Sequence, residues 1–342
     1  MSQNCNIFQT VFKIGQDVDL MTYKPKKAEE IEKDLAAVLP GLLGKIDTGF
    51  KVAWGPAVFT SEESSTTSVA WTIVDNASIE FEDHEYHPIV VVPIGSTSGW
   101  APDGDVEALK IPPKPIKNGP GLLHNSNYIA YGYAKLLHDI ITATVQEEPN
   151  AFLVALYAIL RNYTDARVVF VGHGMSGTLA CLLALTLVKV GVFSKYPQDK
   201  ILTYSTASPS PGNLTFAKTF ETVFPPPQGP LEGYKHWNVN IVNPFDIVPY
   251  GYCMDSEYTP FVLGSVPTIY GAPALETVQS VVSNIEAHAN SLYYPVKAST
   301  FESPIPKPTN TPGSDEEFIG AALEQHEDAF KRYILGDNSY AM

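Results

Sequence analysis

The residues best placed to do chemistry cluster at one turn. Arg167-Val-Val-Phe-Val171 is a short, largely apolar strand candidate that runs into Gly172-His173-Gly174-Met175-Ser176-Gly177, and Thr178-Leu-Ala-Cys-Leu-Leu183 continues as an apolar helix. Few turns need glycine this densely between a strand and a helix. In a nucleophile elbow a strained residue projects its side chain above a sheet, and small neighbours let strand and helix approach closely. A dinucleotide phosphate loop competes, because Gly172-His-Gly-Met-Ser-Gly177 matches G-x-G-x-x-G formally. Its ribose-binding acid belongs about 20 residues further on, where the chain reads Val192-Phe-Ser-Lys195. A tight turn without chemistry is the third reading. Elsewhere, Glu82-Asp83-His84-Glu85-Tyr86-His87 packs histidines and acids together. It has neither H-E-x-x-H nor C-x-x-C spacing, so it reads as a solvated acidic loop and no metal is expected.

The elements that must position the turn follow from periodicity. Ile31, Leu35, Val38 and Leu39 recur at helical spacing over Ala28 to Leu39, and the helix is expected to stop before Pro40-Gly41. Strand-like runs follow at Lys51 to Thr60, Ser68 to Val74 and Ile89 to Ile94. Gly95 to Gly121, with Pro102, Pro112, Pro113, Pro115 and Pro120, reads as a long loop. Helical patterns fill Leu122 to Val145, Ala151 to Tyr163 and Met175 to Val190. Strand, helix and strand then recur at Ile201 to Ser205, Leu214 to Phe224 and Trp237 to Val242, which implies parallel crossovers in one sheet. A helix around Leu275 to Leu292, a Pro-rich connector and a last helix from Glu316 to Leu335 close the chain. The expected fold class is α/β, a mostly parallel sheet flanked by helices in one domain over 1–342, with 1–60 as a helix and strand extension.

Composition bounds the partners. The 342 residues carry 22 Lys+Arg against 37 Asp+Glu, a formal charge of −15, and arginine occurs only at Arg161, Arg167 and Arg332. Nucleic acid and anionic membrane surfaces are therefore excluded as general partners. The apolar stretches Ala151 to Leu160 and Leu179 to Val188 fall short of the ~18–20 residues of a membrane span, so no transmembrane segment is expected. The first residues lack a secretory pattern, and Cys5, Cys181 and Cys253 are too few and odd for a disulfide framework, which points to the cytoplasm.

At this point the chain resembles the class 3 lipase family of α/β-hydrolases. The family's elbow, G-H-S-[LM]-G-G with a small residue, Leu and Ala, is similar to Gly172 to Ala180; its Y-T-F-G-x-P-R-V-G-N-x-x-F-A strand segment is similar to Tyr204 to Ala217. Its acid context N/H-x-x-D-I-V-P corresponds to Asn243 to Pro249, and its R-G-[ST] oxyanion segment to Ile94-Gly95-Ser96. The resemblance implies Asp246 as the acid, with a turn-capping aspartate as the alternative, and His326 in Gln325 to Tyr333 as the imidazole, with His288 as its rival. It also implies Met175 and Ser96 as oxyanion donors and His173 as packing. No cofactor is implied. Where the family carries its serine, however, this chain has Gly174. Glycine offers no nucleophile. Ser176, the nearest hydroxyl, should point about 200° round the helix from that direction.

Three functions are consistent with this pattern. The first is an ester hydrolase without its serine, inactive or substrate-trapping as written, acting on a small-molecule ester or acyl compound. The second is a natural pseudoenzyme that binds an acyl ligand or a protein. The third is a non-hydrolytic enzyme that uses the His/Asp pair for proton transfer. Ser98 to Pro120 shows no amphipathic lid pattern, which favours a moderately sized soluble ester over emulsified triglyceride.

Overall fold

The computed structural model describes residues 5–19, 27–60, 68–96, 127–142, 151–289 and 291–336. They group into two compact units, Met1–Ser98 with Lys135–Ser205 and Gly99–Ala134 with Thr206–Met342.

In the first unit, α1 (Ile7–Asp19) is a helix the periodicity reading passed over. Asn6 and Gln9 cap its start reciprocally: Gln9 N–H donates to Asn6 Oδ1 (3.1 Å) and Asn6 N–H to Gln9 Oε1 (3.0 Å). Every residue of α1 except Gln9 and Lys13 is buried. Helix α2 (Ala28–Ile46) runs through Pro40 rather than stopping before it. Its buried seam, Ile31, Leu35, Leu39 and Leu43, keeps i,i+4 spacing beyond the proline, so tertiary packing outweighs the one ladder bond lost there.

Strands β1 (Lys51–Thr60), β2 (Ser68–Glu80) and β3 (Tyr86–Ser96) form an antiparallel meander. From β3 onward the pairing turns parallel: β4 (Arg167–His173) lies beside β3 with Ile89 opposite Arg167 and Pro93 opposite Val171. The strands of this unit follow the order β1, β2, β3, β4, β5, with β5 at Ile201–Thr206. Both faces of β4 are covered, as a parallel strand requires. His173 meets Phe12 of α1 edge-on, whereas Phe170 meets Phe193 and Gly172 meets the first turn of α5 (Met175–Lys189). Alternation along the strand puts those two sets on opposite faces. Helix α4 (Ala151–Asn162) packs on β1, with Phe152 against Trp54. Beside the acidic loop between β2 and β3, Arg167 Nη2 of β4 lies 2.9 Å from Asp83 Oδ2 and 3.2 Å from His87 Nε2.

Helix α3 (Tyr131–Thr142) starts after 127–130, which were expected to be helical. Asn127 to Ala130 precede it as extended chain, because Ile129 forms an antiparallel bridge to Gly212. Residues 122–126 and 143–145, and the long loop expected from 95 to 121 apart from its first two residues, lie outside the described residues.

In the second unit, α6 (Leu214–Val223) is capped by Asn213, whose Oδ1 accepts from Phe216 N–H at 3.0 Å. Strand β6 (Asn240–Val242) starts three residues later than expected and pairs in parallel with β7 (Ala298–Thr300), a strand too short to leave a pattern. Helix α7 is Glu276–Ala289. The last helical stretch is not one helix: α8 (Asp315–Leu323) and α9 (Ala329–Leu335) flank a π-helical turn at Glu324–Asp328. Phe301, just after β7, stacks on Tyr333 (4.1 Å) and meets Phe330 edge-on (5.1 Å), which anchors α9.

Candidate active site: the elbow and the acid–base pair

The elbow belongs to the first unit. Gly174 has φ 57° and ψ −126°, a conformation open to glycine and strained for any other residue, and α5 begins at Met175 directly after it. Gly174 O accepts from Gly177 N–H (3.1 Å) and Thr178 N–H (3.3 Å), which starts the helix ladder. Strand and helix come very close. A Cβ on Gly172 would lie 2.3 Å from Ser176 O and 2.7 Å from Gly177 N, both backbone atoms, so only glycine fits. Ser176 is fully buried; its hydroxyl donates to His173 O (2.7 Å) and accepts from His173 N–H (3.1 Å). Its hydroxyl thus staples the turn. Met175, half-buried, opens the helix, where the first N–H groups have no intrahelical partner.

Ser96 ends β3 and is buried. Its N–H donates to Asp19 Oδ1 at 2.9 Å, so Asp19, at the last position of α1, holds the end of the strand. Backbone contact enforces this: a Cβ on Gly95 would lie 2.8 Å from Asp19 Cα. The N–H of Ser96, an expected oxyanion donor, is thus engaged by a carboxylate. Asp17 of the same helix is a buried carboxylate whose Oδ2 has no hydrogen-bond partner among the described residues. Burial pushes its pKa up to about 6, against the opposing pull of Lys13 and Lys45.

The acid–base pair belongs to the second unit. Asn243 and Asp246 both shape the turn that leaves β6: Asn243 Oδ1 accepts from Phe245 N–H (3.1 Å), and Asp246 Oδ1 from Val248 N–H (2.9 Å). Tyr250 and Tyr270 donate their hydroxyls to Pro244 O and Phe245 O, each at 2.8 Å. Burial, and then the nearby Asp246 charge, raises the pKa of both phenols, which keeps them neutral donors. Asp246 is fully buried, and its Oδ2 lies 2.9 Å from His326 Nδ1. Asp246 therefore caps its turn with one oxygen and meets an imidazole with the other. This hydrogen bond puts the proton on Nδ1 and makes Nε2 the basic nitrogen. His288 lies exposed on α7, with Nδ1 2.7 Å from Asn284 O one turn back. The sequence reading did not anticipate Gln325, Asn243 or Asp19 as polar supports. An Asn three positions before the acid and a Gln directly before the histidine were visible, but their contact spans 82 residues.

The fold and the elbow place this chain among known proteins. Residues 106–253 match the family model for lipase (class 3). No curated protein gives a significant match. Among solved structures, M37 lipase aligns with a TM-score of 0.69 at 20% identity, covering 96% of this chain and 92% of that one. A lipase from Rhizopus microsporus var. chinensis aligns at 0.47 and 17% identity, covering 70% of this chain and 67% of that one, a likeness too weak to carry argument. The fold is thus an α/β-hydrolase fold with a mostly parallel sheet and flanking helices, and residues 106–253 match the class 3 lipase model. The matched segment contains Gly174 and Asp246 and ends before His326.

Proposed function

We propose that this chain is a carboxylic ester hydrolase of the class 3 lipase type whose nucleophile position is held by Gly174, so that it binds a small-molecule ester or acyl compound without forming an acyl-enzyme. The observation that carries the reading is the backbone of Gly174, φ 57° and ψ −126° at a strand-to-helix turn, which is the strained conformation of a nucleophile elbow. A serine there would attack the ester carbonyl while His326 Nε2 took its proton. Asp246 would hold the imidazole in that tautomer and stabilise the imidazolium. The Met175 N–H and the Ser96 hydroxyl would receive the oxyanion, the alcohol would leave with the proton returned by His326, and water activated by the same imidazole would then cleave the acyl-serine bond and release the acid. With hydrogen in place of the hydroxymethyl group, the first bond cannot form.

The test compares hydrolysis of a short and a medium p-nitrophenyl ester by the chain and by Gly174→Ser, with fluorophosphonate labelling of the new serine. The expected outcome is labelling of the serine form alone and a gain of roughly 10³-fold or more in kcat/KM. Two inert forms with the fold intact would overturn it in favour of a binding pseudoenzyme. That second reading draws on Ser176, whose hydroxyl is committed to His173 and supplies no replacement nucleophile.

A further inference from the structure

The histidine of the acid–base pair sits in the π-helical turn at Glu324–Asp328, where the α-helical ladder is interrupted. Such turns recur at functional sites because the extra residue re-aims a side chain. An interrupted ladder needs other partners, and the residue beside His326 provides them. Gln325 is buried, and its amide is fully used: Nε2 donates to Ile305 O (3.1 Å) and Pro306 O (3.4 Å), while Oε1 accepts from Asn243 Nδ2 (2.8 Å) and Ser303 Oγ (2.9 Å). Its carbonyl also accepts from Asn243 Nδ2, at 2.9 Å. Asn243 in turn shapes the loop that carries Asp246.

We propose that Gln325 is the positioning residue of the pair. Its side chain clasps the π turn to Asn243 on the acid loop and to the segment after β7, so that His326 meets Asp246 in one register. Asn243 lies three residues before Asp246 and Gln325 one residue before His326, so the clasp and the imidazole–carboxylate bond join the same two segments at adjacent points. Were the turn to relax to a regular α register, the imidazole would swing by about one residue's rotation, ~100°, away from the carboxylate. The proposal rests on reading Asp246 and His326 as the working pair, and its first test does not need activity.

That test is proton NMR of the full chain with glycine at position 174. The Nδ1–H of His326, bonded to Asp246, should give a far-downfield resonance, assigned by its loss in His326→Gln. Gln325→Met keeps the length of the side chain and removes all four of its hydrogen bonds. We expect it to abolish or strongly broaden the resonance while circular dichroism stays that of the parent. Gln325→Glu retains the acceptor for Asn243 and Ser303 and should restore part of it. In the Gly174→Ser background, Gln325→Met should lower kcat tenfold or more with KM within about twofold. An unchanged resonance in folded Gln325→Met overturns the proposal. If Gln325→Met does not fold, Ser303→Ala decides: solvent exchange of that proton at least threefold faster supports the clasp, and parental exchange overturns it. An inert Gly174→Ser protein with a Gln325-dependent resonance would instead sink the hydrolase reading and leave the clasp standing.

Discussion

Residues 172–177 keep their shape through backbone contact and one short-range staple, Ser176 to His173 three residues away, whereas residues 243–250 and 324–328 are also tied to each other by side-chain hydrogen bonds across 80 residues or more. The two buried carboxylates show what the difference costs. Asp246 satisfies both oxygens, one with the Val248 N–H and one with His326. Asp17 meets Lys13 Nζ at 3.8 Å with one oxygen, and its other oxygen has no hydrogen-bond partner among the described residues. A buried charge is tolerable when hydrogen bonds replace its water and expensive when they do not. Removing the charge should therefore have opposite consequences at the two positions.

The largest effect is expected at Asp246. In the Gly174→Ser background, Asp246→Asn keeps the shape but presents an amide to the imidazole and reverses its tautomer. The loss in kcat should be about 10⁴-fold. A loss below tenfold, with the fold intact, would mean that Asp246 only caps its turn. Gly172→Ala comes next. The added methyl meets backbone atoms of Ser176 and Gly177 that cannot turn aside, so destabilisation of about 3 kcal/mol or more is expected in urea unfolding. If Gly172→Ala is as stable as the parent, strand and helix are not locked at this point, and backbone contact does not define the elbow.

Asp17→Asn should stabilise. The native pKa of about 6 lies above that of an unfolded aspartate, so between about pH 4 and 6 the native state binds more protons than the unfolded one. Stability contributed by protonated Asp17 is complete below about pH 4 and lost as pH rises through about 6. The amide that Asp17→Asn introduces is neutral throughout and has nothing to lose. The variant should exceed the parent by about 2–3 kcal/mol at pH 7 and match it near pH 4, as read from denaturant unfolding at both pH values. Equal stability at pH 7 would show that Asp17 bears no burial cost.

The same contrast explains what could be read from the sequence. The elbow was legible because its geometry is set by residue types next to one another: Gly172, Gly174 and the apolar run of β4 state it locally. Strand β1 was legible to the residue for the same reason. Helix α1 was passed over, although Ile7, Phe8, Val11, Phe12 and Val18 recur at helical spacing and Asn6 with Gln9 spells a capping box. Its period is in fact marked, by Gln9, Lys13, Gln16 and Asp17 between the apolar residues, so this helix too was legible. Pro40 misled because a local rule was outvoted by Leu43, one turn further along the seam. The pairing of Asp246 with His326 rather than His288 was open in the sequence, since both histidines follow the acid at plausible distances. Only the π turn, fixed by contacts with residues about 20 and 82 positions away, aims one of them at the carboxylate.

The smallest effect sharpens the comparison most. Gly174 is the one position where activity and stability should move in opposite directions. A side chain at φ 57°, ψ −126° costs of order 1–3 kcal/mol unless its surroundings repay it. Gly174→Ser should therefore gain hydrolysis while losing about 2 kcal/mol in denaturant unfolding. Gly174→Ala, which bears the same backbone strain without a hydroxyl, should lose about as much and gain nothing. If both variants are as stable as the parent, the elbow backbone relaxes when a side chain is added, and a serine placed there would not be held for attack. If Gly174→Ala is destabilised and Gly174→Ser is not, the serine hydroxyl has found a partner of its own, and the identity of that partner becomes the next question about the site.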